Sequence, residues 1–515
     1  MLLVLAGTFV VLEIVSGLQA PYGLFHDEYY YWACARHPGL GYVDHPPLSG
    51  WVLAGFLALA GDSLPVFGIL PALCGGTVVF LTGRIAARFG AETGGQALAA
   101  LCAMGSAFLL AFFSFYSVNA FEILFWTLAG LLFVDLLRTR DPRLWLALGA
   151  LAGVAMLNKH TVAMLFGAIG LAALLSPLRA GLRTRWPWLG LALALLLASP
   201  NLVWNAVNDW PSLAFYQSVG AEKNLPTSVA DAILFQLVGT NPATALVWIP
   251  GVCALLVSAR FRAWRPVGIA FLVLPLVMLT SGQRRGDRIV GAYPLVWAAG
   301  AAVWDGWARR QRAAAWGRGV VAATILALGV AMLPPSLPLF APATVERFFE
   351  AIGESPELEA ADAGHQIPLH LLGRLEWDRF GREVLDAVDR LPPEDRARAV
   401  ILSDHWVEAS VIAYHGRDRD APPSVSPHNA FWFWRDEAAG RDVVVAVGIA
   451  ESVLTRHFAE TRPLARFECE HCANWRRDTT ITLARDPVRP LTELLTEWRY
   501  FGAGDVPALD EPEEP

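Results

Sequence analysis

Two short clusters, His26-Asp27-Glu28 and Asp44-His45, are the residues of this chain whose types and spacing come nearest to chemistry. They bracket the polar segment HDEYYYWACARHPGLGYVDHPPL (26–48), with five aromatics and a Gly-rich turn between them and a Pro-Pro pair behind. Charged groups beside an apolar N-terminus are costly unless something uses them. Carboxylates in low-dielectric surroundings can have raised pKa values and serve as general bases. The plainer account is structural. Asp27 and Glu28 would cap a helix starting at Tyr29, Tyr29 to Trp32 would form an interfacial aromatic belt, and Asp44-His45 would be a loop pair before a proline turn.

Further along, Asn119, Glu122, Asn158, Lys159, His160, Arg284 and Arg285 supply more amide, acidic and cationic groups. A base that deprotonates an acceptor, with Arg and Lys holding a departing phosphate, is chemistry such a set could perform. Each member also has a structural alternative: Glu122 would pair with Lys159, and Arg288 with Asp287. A divalent metal between Asp27, Asp44 and His45 is left open, since spacing alone does not establish a ligand set.

The elements that must position these residues are mostly apolar. Hydrophobic residues make up 55% of the 515 and charged ones 17%, against roughly 25% charged in soluble domains, and the mean hydropathy is +0.42. Runs near the length of a membrane span lie at about 2–20, 64–83, 96–114, 120–137, 143–157, 161–176, 187–200, 233–257, 266–281, 289–307 and 318–334. These predict about eleven transmembrane helices. The run 2–20 lacks a basic leader and reads as a span rather than a cleaved signal. Residues 49–61 are apolar but short, which suggests an interfacial or re-entrant helix.

Arginines fall in alternate loops: Arg84 and Arg88; Arg138, Arg140 and Arg143; Arg179, Arg183 and Arg185; Arg260, Arg262 and Arg265; Arg309, Arg310, Arg312 and Arg318. The positive-inside rule assigns them to the cytoplasm. Loops 21–48, 115–119, 158–160, 201–232 and 282–288 then face outward, as does the tail after residue 335. All the candidate polar groups share that outer face, which isolated caps need not do. The loop 201–232 is aromatic and polar, as an amphipathic piece lying on the membrane would be.

Residues 1–340 carry 21 Lys+Arg against 14 Asp+Glu, and residues 341–515 carry 19 against 33, so a basic apolar part is followed by an acidic tail. The acidic balance argues against nucleic acid as a partner. Helix-like segments 344–352, 375–391 and 406–416, a helix after Glu451, and strand-like segments 400–404, 443–448 and 479–483 predict an α/β domain over 335–509, with a disordered acidic end at 510–515. Cys469 and Cys472 form a CxxC for which a local disulfide outweighs zinc, only His471 being adjacent. The other four cysteines read as small buried hydrophobes.

The segments HDEYYYW and GYVDHPPL, then FYSVNAFEILFWTL (115–128) and MLNKHT (156–161), resemble the GT-C glycosyltransferases, in the bacterial branch related to protein O-mannosyltransferases and lipid A aminoarabinose transferases. The tail segments SPHNAFWFW (426–434) and CEHCANW (469–475) are similar to that branch's periplasmic domain. The resemblance implies a polytopic α-helical membrane protein of GT-C type, with a catalytic part over 1–334 and a C-terminal periplasmic α/β domain. It implies an inverting transfer from a polyprenyl-phosphate-linked sugar to a lipid, glycan or protein acceptor at the outer face of the bacterial inner membrane. It places the base on Asp27, with Glu28, Asp44 and His45 in supporting positions; Tyr42 is a further candidate for substrate binding. The relatives' aminoarabinose branch has a phosphate-contacting lysine where His45 stands. The family motif KGRPYYLAPAYP corresponds to QRRGDRIVGAYP (283–294), in which Arg285 and Tyr293 match while Asp287 and Arg288 replace the paired tyrosines. A transporter or flippase for a lipid-linked saccharide is the alternative; it would need polar groups at the membrane midplane and inverted repeats.

Overall fold

The computed structural model describes residues 1–18, 22–223, 227–280, 286–356, 359, 363–472 and 478–510. The chain divides into two compact units. One comprises Met1–Gln19, Asp62–Leu202 and Pro226–Thr344, and the other Ala20–Gly61, Val203–Leu225 and Val345–Pro515.

The first unit is helical. Five helices among the described residues are long and apolar enough to cross a membrane: Pro65–Arg88, Val118–Thr139, Arg185–Val207, Ala259–Thr280 and Arg312–Ala331. Three bent pairs raise the number to eight if each is one span: Thr93–Met104 with Ala107–Phe113 at 64°, Val162–Leu174 with Pro177–Arg183 at 100°, and Val229–Gly239 with Pro242–Val257 at 92°. Every apolar run expected from the sequence meets a helix. Leu2–Ser16, Leu144–Met156 and Tyr293–Ala308 are shorter than a full span. One expected boundary moves: the helix ending near residue 200 continues to Val207, through Pro200. Proline inside a membrane helix is tolerated where neighbours satisfy the freed backbone groups.

Two of the bends serve each other in this way. Ser106 Oγ donates to the Gly239 carbonyl at 3.0 Å, while Asn241 Nδ2 donates to the carbonyls of Gly105 at 3.1 Å and Ile325 at 2.9 Å. A break in an apolar helix leaves carbonyls without partners, and two side chains here supply the donors.

The second unit contains a five-stranded sheet of order β2-β1-β3-β5-β4. Strands β1 (Ala399–Ser403), β2 (Ser424–Val425) and β3 (Val443–Val447) run parallel, whereas β4 (Phe458–Glu468) and β5 (Asp478–Pro487) pair antiparallel, β5 against β3. Both β1 and β3 are buried along their whole length, as strands covered on both faces must be, and they read as continuous Val/Ile/Leu runs. The helices Pro342–Ile352, Trp377–Asp389, Trp406–Gly416 and Glu451–His457 fall where the sequence pattern puts them. Cys469 and Cys472 are joined as a disulfide. Of the acidic end 510–515, residues 511–515 lie outside the described residues.

The same unit includes the polar segment that follows the first apolar run. Its helices His26–Arg36 and Leu48–Ala60 pack on each other, and the first also packs on Trp406–Gly416. The helix therefore begins at His26, so Asp27 and Glu28 lie inside its first turn rather than ahead of it.

At the carboxyl ends of β1 and β2 sit three titratable groups, the half-buried Asp404 and the buried His405 and His428. His428 donates from Nε2 to the Gly502 carbonyl at 3.0 Å, and burial pushes its pKa down to about 4, opposed by that carbonyl and by Glu222. A neutral buried imidazole gives stability that is complete above its unfolded value near 6.5. That stability is lost as the pH falls towards 4, by about 3 kcal/mol in all. Asp505, pushed up to about 6 by burial and by Asp510, works in the opposite sense over the same range. The separable quantity is a difference. The stability deficit of His428→Gln relative to wild type should be largest at pH 7 and shrink by about 2–3 kcal/mol at pH 4.5. Melting curves of the purified protein in detergent at the two pH values measure it; a deficit independent of pH would show that His428 does not titrate in this range.

Candidate active site

Asp27 lies in the first turn of the helix His26–Arg36, where the helix dipole favours a negative charge. Its Oδ1 receives His26 Nε2–H at 3.1 Å, and His26 is the hydrogen-bonding partner of this carboxylate among the described residues. The imidazole side chain is 8% exposed and the carboxylate 34%, so the ring is enclosed and the acid is open. Burial opposes ionisation of Asp27, but the His26 charge and hydrogen bond, helped at longer range by Lys223 and His45, outweigh it and hold the carboxyl below its ordinary range.

Asp44 shifts the other way. Burial pushes its carboxyl up, against the His45 charge and a hydrogen bond of 2.7 Å from the Tyr30 hydroxyl, and Asp27 adds to the rise. Two nearby carboxyl groups with opposite shifts separate one ionised group from one that holds a proton more readily. The expectation that low dielectric would raise the base therefore applies to Asp44 and not to Asp27.

The remaining residues of the segment hold its shape. Glu28 is buried, and its Oε2 accepts the Phe25 N–H at 2.7 Å, satisfying a donor at the helix start. The Tyr42 hydroxyl donates to the Cys34 carbonyl at 2.7 Å, and its backbone N–H reaches the His45 carbonyl at 3.1 Å. His45 is buried; Nδ1 lies 2.8 Å from the Pro46 carbonyl and Nε2 lies 3.8 Å from Cys34 Sγ, with Tyr31 and Tyr42 each 4.9 Å from its ring. Tyr42 and His45, the candidates for substrate contact, are thus tied into the loop by these bonds. A phenol and an imidazole are long enough to tie a Gly-rich turn back onto its helix, and that is what they do.

The helical unit gathers a second set. Lys159 Nζ donates to Asn119 Oδ1 at 2.6 Å and to Glu122 Oε2 at 2.7 Å, and Thr161 Oγ1 donates to Glu122 Oε1 at 2.5 Å. Asn158 Nδ2 donates to the Val118 carbonyl at 2.8 Å, and His160 Nε2 lies 2.9 Å from Asn201 Oδ1. Asn119, Glu122, Asn158, Lys159 and His160 thus assemble around the N-terminal end of the helix Val118–Thr139. Its other end, about 20 Å from Glu122 by helical rise, carries Asp135 with Arg88 at 2.8 Å and Arg138 at 3.2 Å. The pairing of Glu122 with Lys159 is the structural alternative raised by the sequence.

Tyr293 packs among Trp248, Phe271 and Trp297, with ring centroids 6.0, 5.6 and 5.5 Å away, and no described hydrogen bond joins it to the Lys159 set. Arg284 and Arg285 lie outside the described residues. Among the described residues no three His, Cys, Asp or Glu side chains group so as to hold a metal ion, and Asp27, Asp44 and His45 do not form a ligand set. Sequence reasoning missed Lys223, Trp377, Trp406 and Gly373, which surround His26 and Asp27. Only their type marks them, since they lie nearly 200 to 380 residues further along the chain.

Fold and site together define a polytopic helical protein with a carboxylate-bearing loop packed on an α/β sheet. A family model described as dolichyl-phosphate-mannose-protein mannosyltransferase matches residues 44–204. The chain is 26% identical over 265 residues to the lipid A galacturonosyltransferase RgtD of Rhizobium johnstonii, a match covering 50% of this chain and 55% of the relative, about half the length of each. ArnT from Cupriavidus metallidurans, in the apo state, has a TM-score of 0.57 at 15% identity, over 93% of this chain and 97% of that one. The same protein bound to undecaprenyl phosphate gives 0.55. The archaeal oligosaccharyltransferase AglB from Archaeoglobus fulgidus, in complex with an inhibitory peptide and a dolichol-phosphate, gives 0.51 at 11% identity, over 86% of this chain and 69% of that one. The chain shares the GT-C fold of these solved proteins.

Proposed function

We propose that the chain transfers a sugar from a polyprenyl-phosphate-linked donor onto an acceptor hydroxyl at the extracytoplasmic membrane face, with inversion. The carrying observation is Asp27: a carboxylate held ionised, anchored through Oδ1, with its side chain 34% exposed. In the proposed step Asp27 takes the acceptor's proton as the acceptor oxygen attacks the anomeric carbon. The bond from that carbon to the phosphate oxygen breaks on the opposite face, and polyprenyl phosphate leaves with the electron pair. Phosphate contacts are proposed for Lys159, whose ammonium has three donors and uses two on Asn119 and Glu122, and for Arg284 and Arg285. Glu28, Tyr42 and His45 keep the loop in shape. The donor class draws support from the relative solved with undecaprenyl phosphate, and a lipid acceptor from the relative named for lipid A. The alternating arginine loops support eleven spans, cytoplasmic basic loops, and an outward-facing domain over residues 335–509.

Purified protein in liposomes, given a polyprenyl phosphate carrying a labelled sugar and a lipid A acceptor, should release polyprenyl phosphate and label the acceptor. Movement of intact donor across the bilayer with no labelled product would instead identify a transporter.

A further inference from the structure

A buried imidazole is costly unless its polar atoms are used, and His26 is more enclosed than the carboxylate it touches. Its backbone N–H donates to the Gly373 carbonyl at 2.9 Å. Its ring lies 4.1 Å from that of Phe25 and 6.3 Å from those of both Trp377 and Trp406, by centroids. Gly373 lies so close that a Cβ there would collide with Nδ1 of the ring. Gly373, Trp377 and Trp406 come from around the α/β sheet, so that part of the chain fixes where the ring sits.

We propose that His26 is a positioning residue for Asp27: locked by Gly373, Trp377 and Trp406, it holds Oδ1 through Nε2–H and so presents Oδ2 to the acceptor. The inference rests on the reading of Asp27 as base, and it gives the C-terminal part of the chain a direct task in catalysis. A base must lie within hydrogen-bond reach of the proton it takes, and a displacement of about 1 Å can cost on the order of 100-fold in rate. A carboxylate free to rotate in the first turn of a helix would lose that alignment even with its charge intact. The effect belongs in turnover rather than in donor affinity, because His26 is assigned no contact with the donor.

Three variants in the full chain test this. His26→Phe keeps the ring volume and removes the donor; kcat should fall by about 10- to 100-fold with the donor KM unchanged. His26→Gln places an amide N–H at a reach similar to Nε2 and should recover most of that loss, whereas the shorter His26→Asn should not. If His26→Phe fails to fold, the Gln and Asn pair, alike in polarity, decides alone. In an Asp27→Asn background His26→Phe should cost nothing further, since the two act as one unit. Wild-type kcat in His26→Phe, or equal kcat in the Gln and Asn variants, alongside an inactive Asp27→Asn protein, would overturn the positioning role and leave the base assignment standing. Full activity of Asp27→Asn would overturn the base assignment itself.

Discussion

Replacing Asp27 by Asn should lower turnover by about 1,000- to 10,000-fold while leaving the protein folded, the upper part of the range for loss of a general base. The amide keeps the shape of the carboxylate and can still accept the His26 Nε2–H through its oxygen, so the 3.1 Å contact survives. What disappears is the capacity to take a proton. The donor KM should change little, because the acid is assigned to the acceptor hydroxyl. Initial rates with a labelled donor, alongside melting temperature, separate the two effects. An Asn variant with at least a tenth of wild-type kcat would remove Asp27 from the chemistry.

The same carboxylate sets a pH expectation with a definite sign. His26 holds Asp27 below its ordinary range despite burial, so the ionised, proton-accepting form persists at every pH above that depressed value and is lost only as the pH falls through it. Between pH 5 and 8 the base therefore imposes no slope on kcat/KM, and an acid limb within that window would have to come from another group. This differs from an enzyme whose base is tuned near neutrality. It is the consequence of a charged neighbour outweighing burial.

How much of this was legible in the sequence differs by element. The spacing from Asp27-Glu28 to Asp44-His45 and the apolar runs were enough to isolate the loop and the helical unit, because a charge beside a span and a run of about 20 apolar residues are both rare by chance. Strands β1 and β3 were visible as uninterrupted apolar runs. Strand β4 was not: FAETRPLARFE is largely exposed, carries Pro463 beside a register irregularity, and lies at the sheet edge, so no face of it alternates. The bends at Gly105 and Thr240 were invisible because their partners, Asn241 and Ser106, lie across the sequence from each other. His26 was noted as part of the cluster, but its cradle depends on Gly373, Trp377 and Trp406, and no local pattern points to a contact made across nearly 350 residues or more. The opposite shifts of Asp27 and Asp44 depend on the same kind of distant packing.

The second large effect concerns Glu122 and Lys159. The Glu122 side chain is 8% exposed, and that of Lys159 24%, at a separation of 2.7 Å. Such a pair adds little net stability over a well-packed apolar substitute, yet removing one partner strands the other charge at a cost of about 3–5 kcal/mol. Lys159→Met should therefore melt far below wild type, because among the described residues Glu122 then retains only the Thr161 hydroxyl at 2.5 Å. The double variant Glu122→Gln with Lys159→Met should recover most of that stability, since neither site then carries a charge. Stability and function part at this point. If Lys159 also holds the donor phosphate, the restabilised double variant should show a donor KM raised by about 10-fold or more, as loss of one charge-assisted hydrogen bond implies. Thermal melting of the three variants and donor titrations of the double one read the two quantities independently. A double variant with wild-type donor KM would confine the pair to holding the N-terminal end of Val118–Thr139 against the turn at Asn158.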